Sequence, residues 1–264
     1  MIQIMGILNV TPDSFSDGGQ FVAVADAVAH GISLRDQGAN LVDVGGESTR
    51  PGAKRVSPKE EQARVIPVIR ELVAAGVVVS VDTMNAGTAR AAAKAGASVI
   101  NDVSGGLADP NMYRVAAESG LHYVAMHWRG FSDTMDDLAK YDDVVVDVRN
   151  ELKARIAEMT VVGINPAKII LDPGLGFAKT ADHNWQLLGR MDELANLGFP
   201  LLIGASRKKF LAPFGDKPRA RDRATATVSA LAAQSGAWGV RVHDVESTRR
   251  ALEVQAAWQN GRDR

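Results

Sequence analysis

Lys168-Ile-Ile-Leu-Asp-Pro-Gly-Leu-Gly-Phe-Ala-Lys179 is a short apolar run that delivers one carboxylate, Asp172, into a turn rich in glycine. Buried parallel strands read as continuous apolar runs, and glycines let a backbone come close to a ligand. Pro173, Gly174 and Gly176 end any regular structure there. Taken alone, the segment serves equally well as a βα loop whose aspartate caps the next helix. Its recurrence decides the matter, because the same pattern of apolar run, polar tip and loop returns along the whole chain.

On the N-terminal side, residues 141–162 carry apolar positions at helical spacing (Val144, Val148, Leu152, Ile156, Met159). On the C-terminal side the pattern predicts a helix over 182–197 and a strand over 200–203 that ends in Gly204-Ala-Ser-Arg-Lys-Lys-Phe210. A polar, flexible excursion is expected over 213–223, then a helix over 224–235, a strand over 238–242 ending at His243, and a last helix over 247–259. Further upstream the strands fall at 4–8, 41–44, 77–81, 98–100 and 121–126. Helices between them are expected over 21–37, 57–75, 86–95 and 110–119, with Ser57-Pro58 and Glu60-Glu61 as a start signal and Gly38, Gly76 and Gly96 as stops. Eight strands alternating with eight helices predict a single-domain α/β (β/α)8 TIM barrel over residues 1–264. An open, doubly wound sheet is the competing topology, and either would gather ligands at the carboxyl ends of the strands.

A net charge of -1 argues against a general nucleic-acid or membrane-surface binder, which would need a basic excess. The chain has no cysteine, so disulfides and thiolate metal sites are excluded. Residues 1–8 lack a basic leader and read as a strand rather than a signal peptide, and no apolar run approaches the roughly 18 residues of a membrane span. A soluble, cytoplasmic protein is the expectation.

The strand ends carry Asn9, Glu47 to Arg50, Asp82, Asn101, His127, Asp172, Ser206 to Lys208, and Arg241 with His243. Each has a structural explanation by itself, as a turn former, helix cap or satisfied core residue. Polar groups at the ends of so many strands are harder to explain by capping. Arg50, Arg241 and His243, with backbone amides at helix starts, could hold a phosphate or diphosphate. Asp82, Asn101 and Asp172 could bind a planar edge rich in donors, since an ionised carboxylate only accepts. Asn9 could help to hold magnesium that keeps mostly water and phosphate ligands. No Walker-type loop, no dinucleotide fingerprint after the first strand, and no Gly-x-Ser-x-Gly occur. The strand-end groups suggest a phosphorylated heterocycle as the ligand class, and the absences argue against a serine esterase.

The motifs also resemble those of the dihydropteroate synthase family. They are Met5 to Gly19, Asp43-Val-Gly-Gly-Glu-Ser-Thr-Arg-Pro-Gly52, Val81-Asp-Thr83, Asn101-Asp-Val-Ser-Gly-Gly106, Met126-His127, Asp172-Pro-Gly-Leu-Gly-Phe177, Gly204-Ala-Ser-Arg-Lys208 and Val240-Arg-Val-His-Asp-Val245, in order from end to end. The resemblance implies condensation of 6-hydroxymethyl-7,8-dihydropterin diphosphate with 4-aminobenzoate, giving dihydropteroate and diphosphate, in a homodimeric enzyme targeted by sulfonamides. It carries over Asp82, Asn101, Asp172 and Lys208 as the grip on the pterin, and Thr49, Arg241 and His243 as contacts to the diphosphate. Asn9 would meet magnesium. Asp17, Arg50 and Lys208 are the catalytic candidates, with Asp17 stabilising a cation or taking its proton. Thr49, Arg50, Pro51, Phe177 and Ser206 would surround the aminobenzoate. Lys209 stands where relatives often have serine, so its backbone amide and ammonium are the candidates for holding the aminobenzoate carboxylate. Small-molecule substrates are implied, and no nucleic acid or membrane partner. A pterin-binding methyltransferase domain would share the Asp and Asn grip without needing Arg241 and His243, and a non-catalytic pterin-binding paralogue is the remaining alternative.

Overall fold

The structure is a computed structural model that describes residues 2–10, 19–47, 56–131 and 134–262. Eight parallel strands form one sheet: β1 (Gln3–Asn9), β2 (Leu41–Gly45), β3 (Val79–Asp82), β4 (Val99–Asp102), β5 (His122–Met126), β6 (Ile169–Asp172), β7 (Leu202–Ile203) and β8 (Gly239–Val242). Each pairs with its sequence neighbour, and β1 pairs with β8. The remaining seam, between β6 and β7, is joined by a parallel bridge of Leu171 with Leu201 and by Leu171 N donating to Pro200 O at 2.9 Å. The expected barrel is therefore what forms, and the open-sheet alternative is excluded by the β1–β8 ladder together with this β6–β7 bridge.

The helices are α1 (Gly19–Asp36), α2 (Pro58–Ala74), α3 (Ala86–Lys94), α4 (Met112–Ser119), α5 (Val144–Val162), α6 (Ala181–Gly189), α7 (Met191–Ala195), α8 (Asp222–Gln234) and α9 (Val245–Arg262). Ser57 caps α2, its Oγ accepting from Glu60 N at 3.3 Å, with Pro58 in the first turn where its missing N–H costs nothing. The start of α5 is set by Asp143, whose Oδ1 accepts from Val145 N and Val146 N, so the helix begins three residues later than periodicity suggested.

Two sequence expectations are corrected. The helix expected over 182–197 is two, because the backbone leaves helical geometry at Arg190, just after Gly189. Arg190 turns its guanidinium to Glu193 at 2.7 Å and to Asp143 at 2.9 Å, which ties the break to the start of α5. The excursion expected over 213–223 is folded into 3-10 turns over Lys209–Phe214 and Pro218–Arg221. Arg221 closes it by donating to the carbonyls of Gly215, Asp216 and Arg207.

The core has two layers. Ile69, Leu72, Val115, Leu152, Met159 and Leu187 pack helices against the outer face of the strands. Inside the ring, Met5, Leu41, Val99, Val124, Ile170 and Leu202 meet in a separate cluster. Side chains from six strands of a ring touch only if they all point to its axis. Among the described residues no helix is long and apolar enough to cross a membrane.

Candidate active site

Strand periodicity places the site. Two residues along from an inward residue comes the next inward residue. Val99 is thus followed by Asn101, Ile170 by Asp172, Leu41 by Asp43, and Val124 by Met126. An apolar floor with polar groups above it results, at the carboxyl end of the barrel where loops supply the walls.

Arg241, on β8, is the hub. Its Nε donates to Asp43 Oδ2 and its Nη2 to Asp82 Oδ2, both at 2.6 Å, and Asn101 Nδ2 donates to the same Asp43 oxygen at 2.8 Å. Four strands are thereby joined across the axis. Burial raises the pKa of Asp82, with Asp43 and Glu61 adding repulsion, while Arg241 opposes the rise. Burial alone would lower Arg241, but Asp43 and Asp82 outweigh it and hold the guanidinium charged. Arg241 was expected to face a diphosphate. Two of its nitrogens are committed to carboxylates, and among the described residues Nη1 makes no hydrogen bond. Asp43 was missed as a site residue; its signal was a charge in the middle of the apolar run Leu41-Val-Asp-Val44.

Asp172 is 5% exposed, and its Oδ1 accepts from Gly174 N at 2.7 Å. Gly174 has φ +68°, and a Cβ there would fall 2.3 Å from His127 O. Only glycine fits, so the turn can fold back over the end of β5. Gly176, also at positive φ, lies against the Lys208 stem, where a Cβ would come within 2.8 Å of Cδ. Lys208 Nζ donates to Leu175 O and lies 4.5 Å from the centroid of the Phe177 ring. A Cβ on Gly204 would sit 3.6 Å from Asp172 Oδ2 and 3.9 Å from Lys208 Nζ, so the two charges face one another across a bare backbone. Burial raises the pKa of Asp172 against the pull of Lys208, and burial pushes Lys208 down to about 8 against the pull of Asp172.

Phe177 packs with Met84, Val103, Met126 and Trp128 in a small apolar cluster above β3, β4 and β5. Phe177 was a sequence candidate; Met84, Val103 and Met126 were not, since lone Met and Val residues after strand ends carry no pattern. Ser206 Oγ accepts from His243 N at 3.1 Å and lies 2.9 Å from His243 Nδ1. The hydroxyl thus ties the backbone and the ring of His243 to the loop after β7. Lys209 is exposed at the start of a 3-10 turn. Arg207 holds the preceding bend at φ 60° by a two-pronged pair with Asp222. Asn9 ends β1 beside Gly45.

His127 does not join the site, because it is the outward residue after Met126; its Nε2 lies 2.9 Å from Glu151 Oε2 on α5. Asp17, Thr49, Arg50 and Pro51 lie outside the described residues. Among the described residues no three His, Asp or Glu side chains gather as a metal cage. Asn9 is a single neutral oxygen donor at the rim, which suits a cation that takes most of its ligands from phosphate and water.

Fold and site together define a (β/α)8 enzyme barrel whose mouth accepts a flat, donor-rich ring against an apolar wall, with cations at its edge. The sequence matches the family described as pterin binding enzyme over residues 5–243. It is 50% identical to a dihydropteroate synthase of Mycobacterium leprae over 97% of this chain and 93% of that one. Among solved structures it is similar to Xanthomonas albilineans dihydropteroate synthase with 4-aminobenzoic acid, at TM-score 0.91 and 45% identity over 98% of this chain and 93% of that one. It is also similar to Yersinia pestis dihydropteroate synthase with a sulfonamide drug, at TM-score 0.92 and 41% identity over 98% and 94%. The chain belongs to the pterin-binding enzyme family, in its dihydropteroate synthase branch.

Proposed function

We propose that this transferase condenses 6-hydroxymethyl-7,8-dihydropterin diphosphate with 4-aminobenzoate in folate biosynthesis, releasing diphosphate. The observation that carries the reading is the convergence of Asp172, Asn101 and Asp82 beside Lys208 and Arg241, against the Met84, Val103 and Met126 wall. Asp172 accepts from the ring's amino and N–H donors, and Asn101 pairs with a mixed donor and acceptor edge. Lys208, its stem against Gly176, supports the ring, while Arg241 and His243 contact the departing diphosphate.

Charge leaves the pterin methylene with the diphosphate, so cations fixed before reaction lower the barrier without reorganising. The electron-rich ring shares the positive charge left behind, with Asp17 the candidate to stabilise it. The aniline nitrogen of aminobenzoate is neutral near pH 7 and needs no strong base. Phe177 and Ser206 wall its ring, Thr49 and Pro51 are further candidates carried from the family resemblance, and the amide and ammonium of Lys209 receive its carboxylate. Magnesium, met by Asn9, would neutralise diphosphate oxygens when bound. Arg50 is carried over from the family resemblance as a further catalytic candidate.

A coupled assay of purified protein with the pterin diphosphate, 4-aminobenzoate and magnesium is expected to show aminobenzoate-dependent diphosphate release, inhibited by a sulfonamide in competition with aminobenzoate. Pterin binding without such turnover would overturn the catalytic reading. The reading carries a cytoplasmic location, compatible with a cysteine-free chain. It also carries a homodimer, for which Leu231 on α8 and Val254 and Trp258 on the adjoining α9 offer exposed apolar surface.

A further inference from the structure

Of the charged residues of the opening motif, Lys168 and Lys179 have no part in the reaction, and Lys179 is buried, at 9% exposure. Its Nζ donates to Phe177 O at 3.1 Å and lies 2.9 Å from His127 Nδ1. An ammonium has only donors, so Nδ1 accepts and the His127 proton sits on Nε2, donating to Glu151 Oε2 at 2.9 Å. Glu151 in turn accepts from Arg129 Nε at 3.1 Å and from Nη2. The Arg129 guanidinium lies 3.8 Å over the Tyr141 ring, and Tyr141 Oη donates to Ala178 O at 3.0 Å.

This chain of contacts starts on the carbonyl of Phe177 and ends on the carbonyl of Ala178. It is a closed circuit around a single residue, Ala178. Ala178 has φ 47°, a conformation an alanine adopts only when its surroundings enforce it. Two adjacent carbonyls held from below fix the plane from which the Phe177 ring projects. Burial and Lys208 lower the Lys179 pKa to about 7, with Asp172 resisting, so the ammonium sits there at a cost that surface lysines avoid and loses its proton more readily than they do.

We propose that Lys179 is a positioning residue, the head of a His127–Glu151–Arg129–Tyr141 clamp that sets the Phe177 ring and so governs capture of the second, aromatic substrate. The proposal rests on the functional reading above. Lys179→Met keeps the stem and removes the donor, while Tyr141→Phe releases the other carbonyl and leaves the buried charge untouched. In Lys179→Met, KM for 4-aminobenzoate is expected to rise at least tenfold, with KM for the pterin diphosphate within threefold of the wild type. In Tyr141→Phe the same split is expected at about threefold.

Hydrogen exchange in the peptide covering 174–177 is expected to quicken at least tenfold in Lys179→Met. Its amides at Gly174, Gly176 and Phe177 are tied to Asp172, Asn184 and Gly174 respectively. Unchanged exchange there, or equal rises in both KM values in Tyr141→Phe, would overturn the clamp. If Lys179→Met fails to fold, Tyr141→Phe decides alone. A wild type inactive with aminobenzoate would instead defeat the functional reading, and the exchange measurement would still test the clamp.

Discussion

Asp172 and Asp43 are both carboxylates inside the barrel, and their partners give them different work. Asp43 is fully buried and spends Oδ2 on Arg241 and Asn101, so it shapes the neighbouring groups. Asp172 gives Oδ1 to its own turn and presents Oδ2 toward Lys208 and the mouth. Asp172→Asn keeps the shape and removes the charge, and a charged hydrogen bond contributes about 1.5–3 kcal/mol. By calorimetry we expect pterin-diphosphate affinity to fall roughly 10- to 150-fold, with affinity for inorganic diphosphate little changed. Equal losses for both ligands would make Asp172 structural. At this scale the sequence made Asp172, Asn101 and Asp82 candidates because polar groups ending apolar strands are legible by period, whereas Lys208 became a pterin candidate through the family resemblance. It could not separate Met126, which faces in, from His127, which faces out, until β5 had a register. Nor could it assign Lys179, whose partner lies 52 residues away.

Elements behave as units through a few such long ties. Glu151, on α5, grips the end of β5 through His127 and Arg129. Burial would raise its pKa, but those partners dominate and hold it down to about 2. A carboxylate depressed in the folded state adds stability that is complete above its unfolded value and is lost as pH falls through the folded one. We therefore expect Glu151→Gln to lower Tm by a few degrees at pH 6–7, and the difference from the wild type to shrink as pH falls from about 4.5 toward 2. A constant difference would assign the loss to packing. The same kind of tie explains where element boundaries escaped the sequence. Residues 182–197 read as one helix, but the break was settled by Arg190 reaching Asp143, 47 residues before it. Polarity over 213–223 suggested flexibility, whereas Arg221 turns those carbonyls into acceptors within a folded bend.

At the scale of the whole molecule, Leu231, Val254 and Trp258 are 58%, 69% and 71% exposed on helices that pack side by side. Large apolar groups together on a surface mark an interface more often than chance exposure does. Light scattering is expected to give twice the 28.1 kDa chain mass, and Trp258→Asp to shift it toward one. A wild-type mass of one chain at high concentration would remove the dimer from the proposed function.

The sequence by itself determined the alternation of strands and helices, their closure as the economical arrangement, and the presence of polar tips at the strand ends. Each of these is a local consequence of period, caps and glycine. Only the tertiary structure decided which tips meet. Arg241 and Asp43 stand 198 residues apart, yet they bond because β8 pairs with β1 and β1 with β2, in registers that local pattern does not encode. Ring closure made a proposed diphosphate ligand also the hub of the pterin carboxylates, and it turned Lys179 from an unassigned cation into the support beneath Phe177.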